Sequence, residues 1–128
     1  MQQDTPPLSS SPYTTFDHNS KISTVLDWDA CGYGDPALDV GYFRMNMYLR
    51  GIKEAADIFL DHYESVSGSR VGNLGFWELA RAAGPLPNPA AWIWTSREMG
   101  DAGSTDDRAD TDYFEFVADA RRRAYAGR

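Results

Sequence analysis

One segment near the N-terminus concentrates the residues that could do chemistry. A run rich in β-branched side chains over residues 22–27 ends in Asp27, and Asp29 follows closely. A short loop containing glycine then leads to Asp35 and Pro36, a usual start for a helix. A carboxylate at the end of a strand is held rigidly and can still face solvent, which suits an oxygen ligand of Mg²⁺. Asp27 is therefore the candidate metal ligand. The alternative is that it only ends a strand or caps a helix.

Two short extended segments position Asp27. Residues 13–16 and 22–27 flank a run of turn formers over residues 17–20, which predicts a β-hairpin whose second strand is buried. Residues 1–12 are rich in Pro, Ser and Gln without periodicity, and they are predicted to form a flexible leader.

Helical patterning follows the hairpin to the end of the chain. Apolar residues at spacings of three and four, with glycine or proline between the runs, predict the helices. They cover residues 36–49, 52–66, 73–83, a short stretch over 90–97 and a last helix over 112–126. Residues 100–112 are acidic and contain glycine, which predicts a loop. The predicted fold class is therefore mainly α with a short N-terminal β-hairpin.

Composition excludes several kinds of protein. The 128 residues carry a net charge of −7, which argues against nucleic-acid binding because that function needs a basic face. Cys31 is the only cysteine, so the sequence allows neither an intrachain disulfide nor a zinc site built from cysteines. The sequence shows no secretory signal and no apolar run long enough to span a membrane. We therefore expect a cytoplasmic protein that contacts no membrane.

Two motifs resemble those of a known family. Leu-Asp-Trp-Asp over residues 26–29, with Gly-Asp-Pro-Ala-Leu-Asp over 34–39, is similar to the "IDWE…GDPxxDLA" signature of the aminoglycoside phosphotransferase family. That family is related to choline kinases and protein kinases. Residues 76–87 are similar, less sharply, to a helix and "RPLPDP" segment of many members. The resemblance extends over residues 21–126 and implies that 13–126 form a partial, helical C-terminal lobe of the protein-kinase-like fold.

The resemblance implies roles for three aspartates. Asp27 matches the aspartate that binds Mg²⁺ in the family. Asp39 matches a buried aspartate that braces the catalytic loop, and Asp35 matches the residue that opens the following helix. The resemblance thus assigns both to the structural brace of the catalytic-loop region. The implied cofactors are ATP and Mg²⁺, and the implied partner is a small-molecule acceptor. Because a single carboxylate holds Mg²⁺ poorly, neither cofactor is expected to bind tightly to this chain alone.

The sequence departs from the family where the catalytic loop should lie. The family's "HGDxHxxN" loop, which carries the catalytic base, projects onto residues 6–13, and these contain no His, Asp or Asn. Nothing before them supplies a Gly-rich loop or an ATP-binding lysine. We therefore expect a truncated kinase that is inactive alone and has no catalytic residue of its own. A missing N-terminal partner chain is one candidate to complete it. The alternative is a non-catalytic binding or interaction module that self-associates through its exposed face.

Other candidate residues have simpler interpretations. His18 and His62 lack partners at a metal-ligand spacing, and Cys31 is interpreted as a small packing residue. The acidic residues near the C-terminus are interpreted as a solvated loop, the alternative being contact with cationic acceptors. They are Asp101, Asp106, Asp107, Asp110 and Asp112.

Overall fold

A computed structural model describes residues 14–16, 19, 21–25, 32–93 and 105–128 of the chain. It contains two compact units, Met1–Tyr33 and Gly34–Arg128. The predicted leader over residues 1–12 lies outside the described residues, and so does Asp27.

The first unit contains the predicted hairpin. Strand β1 (Thr14–Phe16) pairs antiparallel with β2 (Ile22–Val25), and Thr15 lies opposite Thr24. The prediction that the second strand is buried is wrong for its first three residues, which are exposed; Ile22 alone is 62% exposed. Among the described residues the sheet has only these two strands, so no further strand flanks it. A two-stranded hairpin has too little apolar surface of its own to bury a strand.

The second unit consists of five helices among the described residues, which confirms the mainly α fold class. They are α1 (Ala37–Leu49), α2 (Lys53–Ser67), α3 (Leu74–Ala82), α4 (Pro89–Trp92) and α5 (Asp106–Tyr125). Helix α2 ends at Gly68, whose positive φ of 72° lets its N–H reach the carbonyl of Glu64.

The last helix begins six residues earlier than its sequence pattern predicts. The Thr105 side chain accepts a hydrogen bond from the Arg108 backbone N–H at 3.4 Å, so Thr105 is the N-cap. Asp106 and Asp107 occupy the first turn, where negative charge complements the helix dipole. The predicted loop is therefore wrong from Asp106 onwards, because these acidic residues start a helix. In the part of the chain that the structure describes, no helix is long and apolar enough to cross a membrane.

Two apolar clusters hold the helices together. The larger one joins α1, α2, α3 and α5, and the smaller one lies between the start of α1, α2 and the start of α3. The buried members of the larger cluster are Met45, Tyr48, Leu49, Ala56, Ala82, Ile93, Ala109, Tyr113 and Phe116. Those of the smaller cluster are Ala37, Val40, Leu60, Val71 and Leu74.

Helices α3 and α5 touch backbone to backbone at Gly75. A Cβ atom at this position would lie 2.3 Å from the Ala124 nitrogen and 2.7 Å from the Ala120 carbonyl oxygen. Real carbon atoms do not approach backbone atoms so closely. Position 75 therefore accepts only glycine if α3 and α5 keep this packing.

Candidate functional site

The start of α1 is held by Asp35, one of the three aspartates singled out by sequence. Its Oδ1 accepts a hydrogen bond from the Ala37 backbone N–H at 2.9 Å, as a capping carboxylate does. Its Oδ2 accepts from the indole Nε1 of Trp77 at 3.1 Å. Asp35 thus stabilises the first turn of α1 and ties it to α3. The role that the resemblance gives Asp35 at a catalytic loop stays a prediction.

Asp39 lies one turn further along α1, and its surroundings differ from those of Asp35. Like Asp35 it is exposed, whereas the resemblance matched it to a buried aspartate. Its carboxylate makes no hydrogen bond or ion pair with any other residue that the structure describes. It sits in the first turn, where its charge is favourable to the helix. The structure therefore brings Asp35 and Asp39 to the same end of one helix. The bracing role of Asp39 stays a prediction.

The metal site cannot be built from the described residues alone. Asp27 lies outside them, and within the described ranges no group of three His, Cys, Asp or Glu side chains is placed to hold a metal ion. Mg²⁺ is bound firmly only where several oxygen ligands converge. The carboxylates at the start of α1 therefore do not by themselves fit a magnesium site.

A depression of about 210 Å³ lies beside the start of α1. It is open and small compared with ordinary ligand pockets, which hold several hundred Å³. Its charged lining residues, Asp35 and Arg70, are both exposed. The full lining comprises Asp35, Pro36, Ala37, Tyr63, Ser69, Arg70, Val71 and Gly72. Such a shape suits at most transient contact with a small polar molecule.

A network of buried charges that the sequence did not reveal lies at the middle of α1. Arg44 is 1% exposed and donates from Nε to Glu78 Oε1 at 2.7 Å, and Glu78 is fully buried on α3. The second carboxylate oxygen of Glu78 accepts from Arg123 Nε on α5 at 2.6 Å. Both oxygens of one buried glutamate are therefore bonded to guanidinium groups, one from each neighbouring helix.

The remaining donors of Arg44 reach α2. One terminal nitrogen donates to the carbonyl oxygen of Ala56 at 2.6 Å, and the other to Asp57 Oδ1 at 3.0 Å. The guanidinium thus contacts α2 and α3 from α1. Buried charges are tolerated when they are paired and hydrogen-bonded in this way. The network fixes the relative positions of four helices.

Two buried tyrosines lie in the larger apolar cluster, and one of them, Tyr48, lies beside the charges of this network. Burial raises the pKa of Tyr48 above its ordinary value, against the opposing effect of the Arg123 and Arg44 charges. The Tyr48 hydroxyl donates to Asp119 Oδ2 at 2.7 Å. Burial likewise raises the pKa of Tyr113, whose hydroxyl donates to the Ala82 carbonyl oxygen at 2.7 Å. Both phenols are therefore held in the neutral form.

The sequence contains a pattern that marks Arg44 and Glu78 as candidates for buried charges, but it does not show that they are partners. Arg44 stands between Phe43 and Met45 in a predicted helix, and Glu78 stands between Trp77 and Leu79 in another. A charged residue inside an apolar run is a candidate for a buried pair. Sequence alone does not say which opposite charge, among many, becomes its partner.

Comparison with known families agrees with the motif at the start of α1. The model of the Phosphotransferase enzyme family matches residues 14–75, which include all three singled-out aspartates. This match confirms the family resemblance. The matched residues end near the start of α3, so Glu78 and Arg123 lie outside them. No curated protein and no solved structure gives a significant match, so the assignment to a kinase-like C-terminal lobe stays a prediction.

Proposed function

Because residues 14–75 match the model of the Phosphotransferase enzyme family, we propose that the chain descends from a small-molecule kinase. The parent reaction is transfer of the ATP γ-phosphate to a hydroxyl group, of the aminoglycoside phosphotransferase type, with Mg²⁺ as the cofactor. The family match over residues 14–75 is the observation that carries this proposal. Its agreement with the "GDPxxD" motif at residues 34–39 supports it further.

Within this proposal each aspartate has one role. Asp27 is the residue that would bind Mg²⁺ beside the nucleotide. Asp35 keeps the following helix in place through its bonds to Ala37 and Trp77. Asp39 is the residue that would brace a catalytic loop, and its exposed carboxylate is accessible to such a partner.

We further propose that the 128 residues do not catalyse transfer by themselves. Phosphoryl transfer requires the metal, a base or water-positioning group and a nucleotide clamp to be held together. The family's base would fall within residues 6–13, which contain no His, Asp or Asn. The chain then corresponds to part of the C-terminal lobe of a kinase, over residues 13–126.

The test is an assay of the purified chain with radiolabelled ATP, Mg²⁺ and either an aminoglycoside or choline. We expect no transfer above background. Calorimetry should give Mg²⁺ binding in the millimolar range or weaker, since one carboxylate is a poor site. Turnover that disappears in Asp27→Ala and persists in the matched control Asp29→Ala would contradict the proposed inactivity and support the assigned metal ligand.

A second function, that of a non-catalytic interaction module, is favoured by one specific observation. Several large apolar side chains on the helical unit are more than half exposed. They are Ile58, Val66, Phe76, Leu86, Phe114 and Tyr125. The nucleotide sequence upstream of the first codon discriminates between the two functions. A reading frame that encodes "HGDxHxxN" there favours the kinase, and its absence favours the module.

A further inference from the structure

The outward face of α5 has a regular pattern that the family match does not cover, and it includes Phe114 and Tyr125, two of the exposed residues named above. Six exposed residues recur along it at alternating spacings of four and three. They are Asp107, Thr111, Phe114, Ala118, Arg121 and Tyr125. This is the spacing of the contact stripe in a coiled coil, where one helix packs along another. The opposite face, with Phe116 and Ala120, is already buried in the protein's own core.

We call this set of six residues the α5 stripe. The side chains in its middle are apolar and differ in size. Phe114 is 64% exposed, and Ala118 follows it one turn later. Tyr125 is 84% exposed at the far end. A phenylalanine beside an alanine offers both a projecting side chain and a space to receive one. In an antiparallel pair centred between positions 114 and 118, each Phe114 lies opposite the partner's Ala118.

The distribution of charge along α5 favours antiparallel over parallel packing of two α5 helices. Asp107 and Asp110 are exposed near the start of α5, and Arg121 and Arg122 are exposed near its end. About 21 Å of helix separates Asp107 from Arg121, at 1.5 Å per residue. Antiparallel packing brings the acidic start of one helix against the basic end of the other. Parallel packing would instead place like charges together at both ends.

We propose that the α5 stripe is an interface for a second copy of this chain, packed antiparallel about a two-fold axis near position 116. Such an interface is self-complementary, because each copy contributes the same acidic end, the same Phe114 and the same basic end. A single pair of helices buries little surface compared with a permanent dimer, so we expect a weak association in which the dimer dissociates on dilution. The proposal does not depend on the kinase assignment, since α5 lies outside residues 14–75.

The first experiment is sedimentation velocity on the full chain over a range of concentrations at physiological salt. We expect a reversible monomer–dimer equilibrium. Phe114→Ser should weaken the dimer at least tenfold, because it removes the central apolar contact of both copies. Ile58→Ser, which removes a similarly exposed apolar side chain from α2, is the matched control and should leave the equilibrium unchanged.

The second experiment tests direction by exchanging charges. Asp107→Lys/Asp110→Lys and Arg121→Glu/Arg122→Glu should each be monomeric, because both ends of each homodimer then repel. A one-to-one mixture of the two variants should form a heterodimer, since both ends are again complementary. Circular dichroism of each variant checks that its helices remain formed.

Three results would overturn the proposal. They are a wild-type chain that stays monomeric at several hundred micromolar, a dimer unaffected by Phe114→Ser, and a mixture of folded charge variants that stays monomeric. None of these results bears on the proposed kinase ancestry, and the turnover assays do not test the interface. Failure of one proposal is therefore distinguishable from failure of the other.

Discussion

Helix α1 carries charged residues at its start and in its middle, and the two groups have contrasting surroundings. Asp35 and Asp39 are exposed, and of the two carboxylates only that of Asp35 accepts hydrogen bonds from other described residues. Arg44, two turns after Asp35, is buried and bonded to Glu78, Asp57 and the Ala56 carbonyl. The exposed group matches a family's functional motif, whereas the buried group joins helices.

The segment that identifies the family is therefore not the same as the set of residues that stabilises the fold. The family match ends at residue 75, yet the carboxylate that neutralises Arg44 belongs to Glu78, and the second guanidinium on that carboxylate belongs to Arg123. The matched segment therefore depends on unmatched helices for a buried charge. A motif at an accessible helix end can be recognised in sequence, while the contacts that stabilise it lie elsewhere in the chain.

The largest expected effect comes from removing the centre of the buried network. Glu78→Ala should lower the free energy of unfolding by about 3–5 kcal/mol, because it removes the buried counter-charge of Arg44 and leaves only the exposed carboxylate of Asp57 beside it. Urea denaturation followed by circular dichroism measures this loss. Glu115→Ala removes one partner of the exposed pair with Lys53 and should have a much smaller effect, since solvent screens exposed charges. Similar losses in both variants would contradict the contrast between buried and exposed charges.

A smaller effect is expected at the start of α1. Asp35→Ala removes the hydrogen bonds to the Ala37 N–H and the Trp77 indole and should lower the free energy of unfolding by about 1 kcal/mol. Asp39→Ala, the same truncation one turn later, should have less effect because its carboxylate has no partner among the described residues. Thermal melts of both variants provide the comparison. A greater loss at Asp39 would show that it has a structural role after all.

The smallest effect concerns alkaline pH. The pKa of Tyr48 is higher in the folded chain than in the unfolded one, because burial disfavours the phenolate. The stabilisation from its neutral form is complete below about pH 10 and is lost as pH rises through the folded-state pKa. Urea denaturation between pH 8 and pH 11 should show stability falling at the alkaline end, with a shallower fall in Tyr48→Phe. An unchanged slope in Tyr48→Phe would assign the fall to other groups, with Tyr113 as the next candidate.

The mainly α fold and the hairpin were predictable because local patterns encode them. Proline and aspartate before α1, and glycine after α2, mark the helix ends within one or two residues. The start of α5 was missed although its signal was present in sequence. Thr105 followed by Asp106 and Asp107 is a capped, acidic first turn, but glycines and acidic residues around it favoured the interpretation as a loop.

The candidate site was predictable only in part. Asp35 was correctly expected at the opening of α1 because capping is a local interaction between neighbouring residues. The indole bond from Trp77 joins residues 42 apart, and the Arg44–Glu78 pair joins residues 34 apart. Such pairings follow from how helices pack, which a single sequence does not specify. Asp27 stays a sequence-based prediction because it lies outside the described residues.

The glycine at position 75 links the unfolding of two helices that are distant in sequence. Where α3 and α5 meet without intervening side chains, neither helix can slide or tilt far without separating from the other. Partial opening of α5 would therefore expose α3 as well, and the two should exchange their amide hydrogens as one cooperative unit. The C-terminal helix is thus an integral part of the second unit's fold.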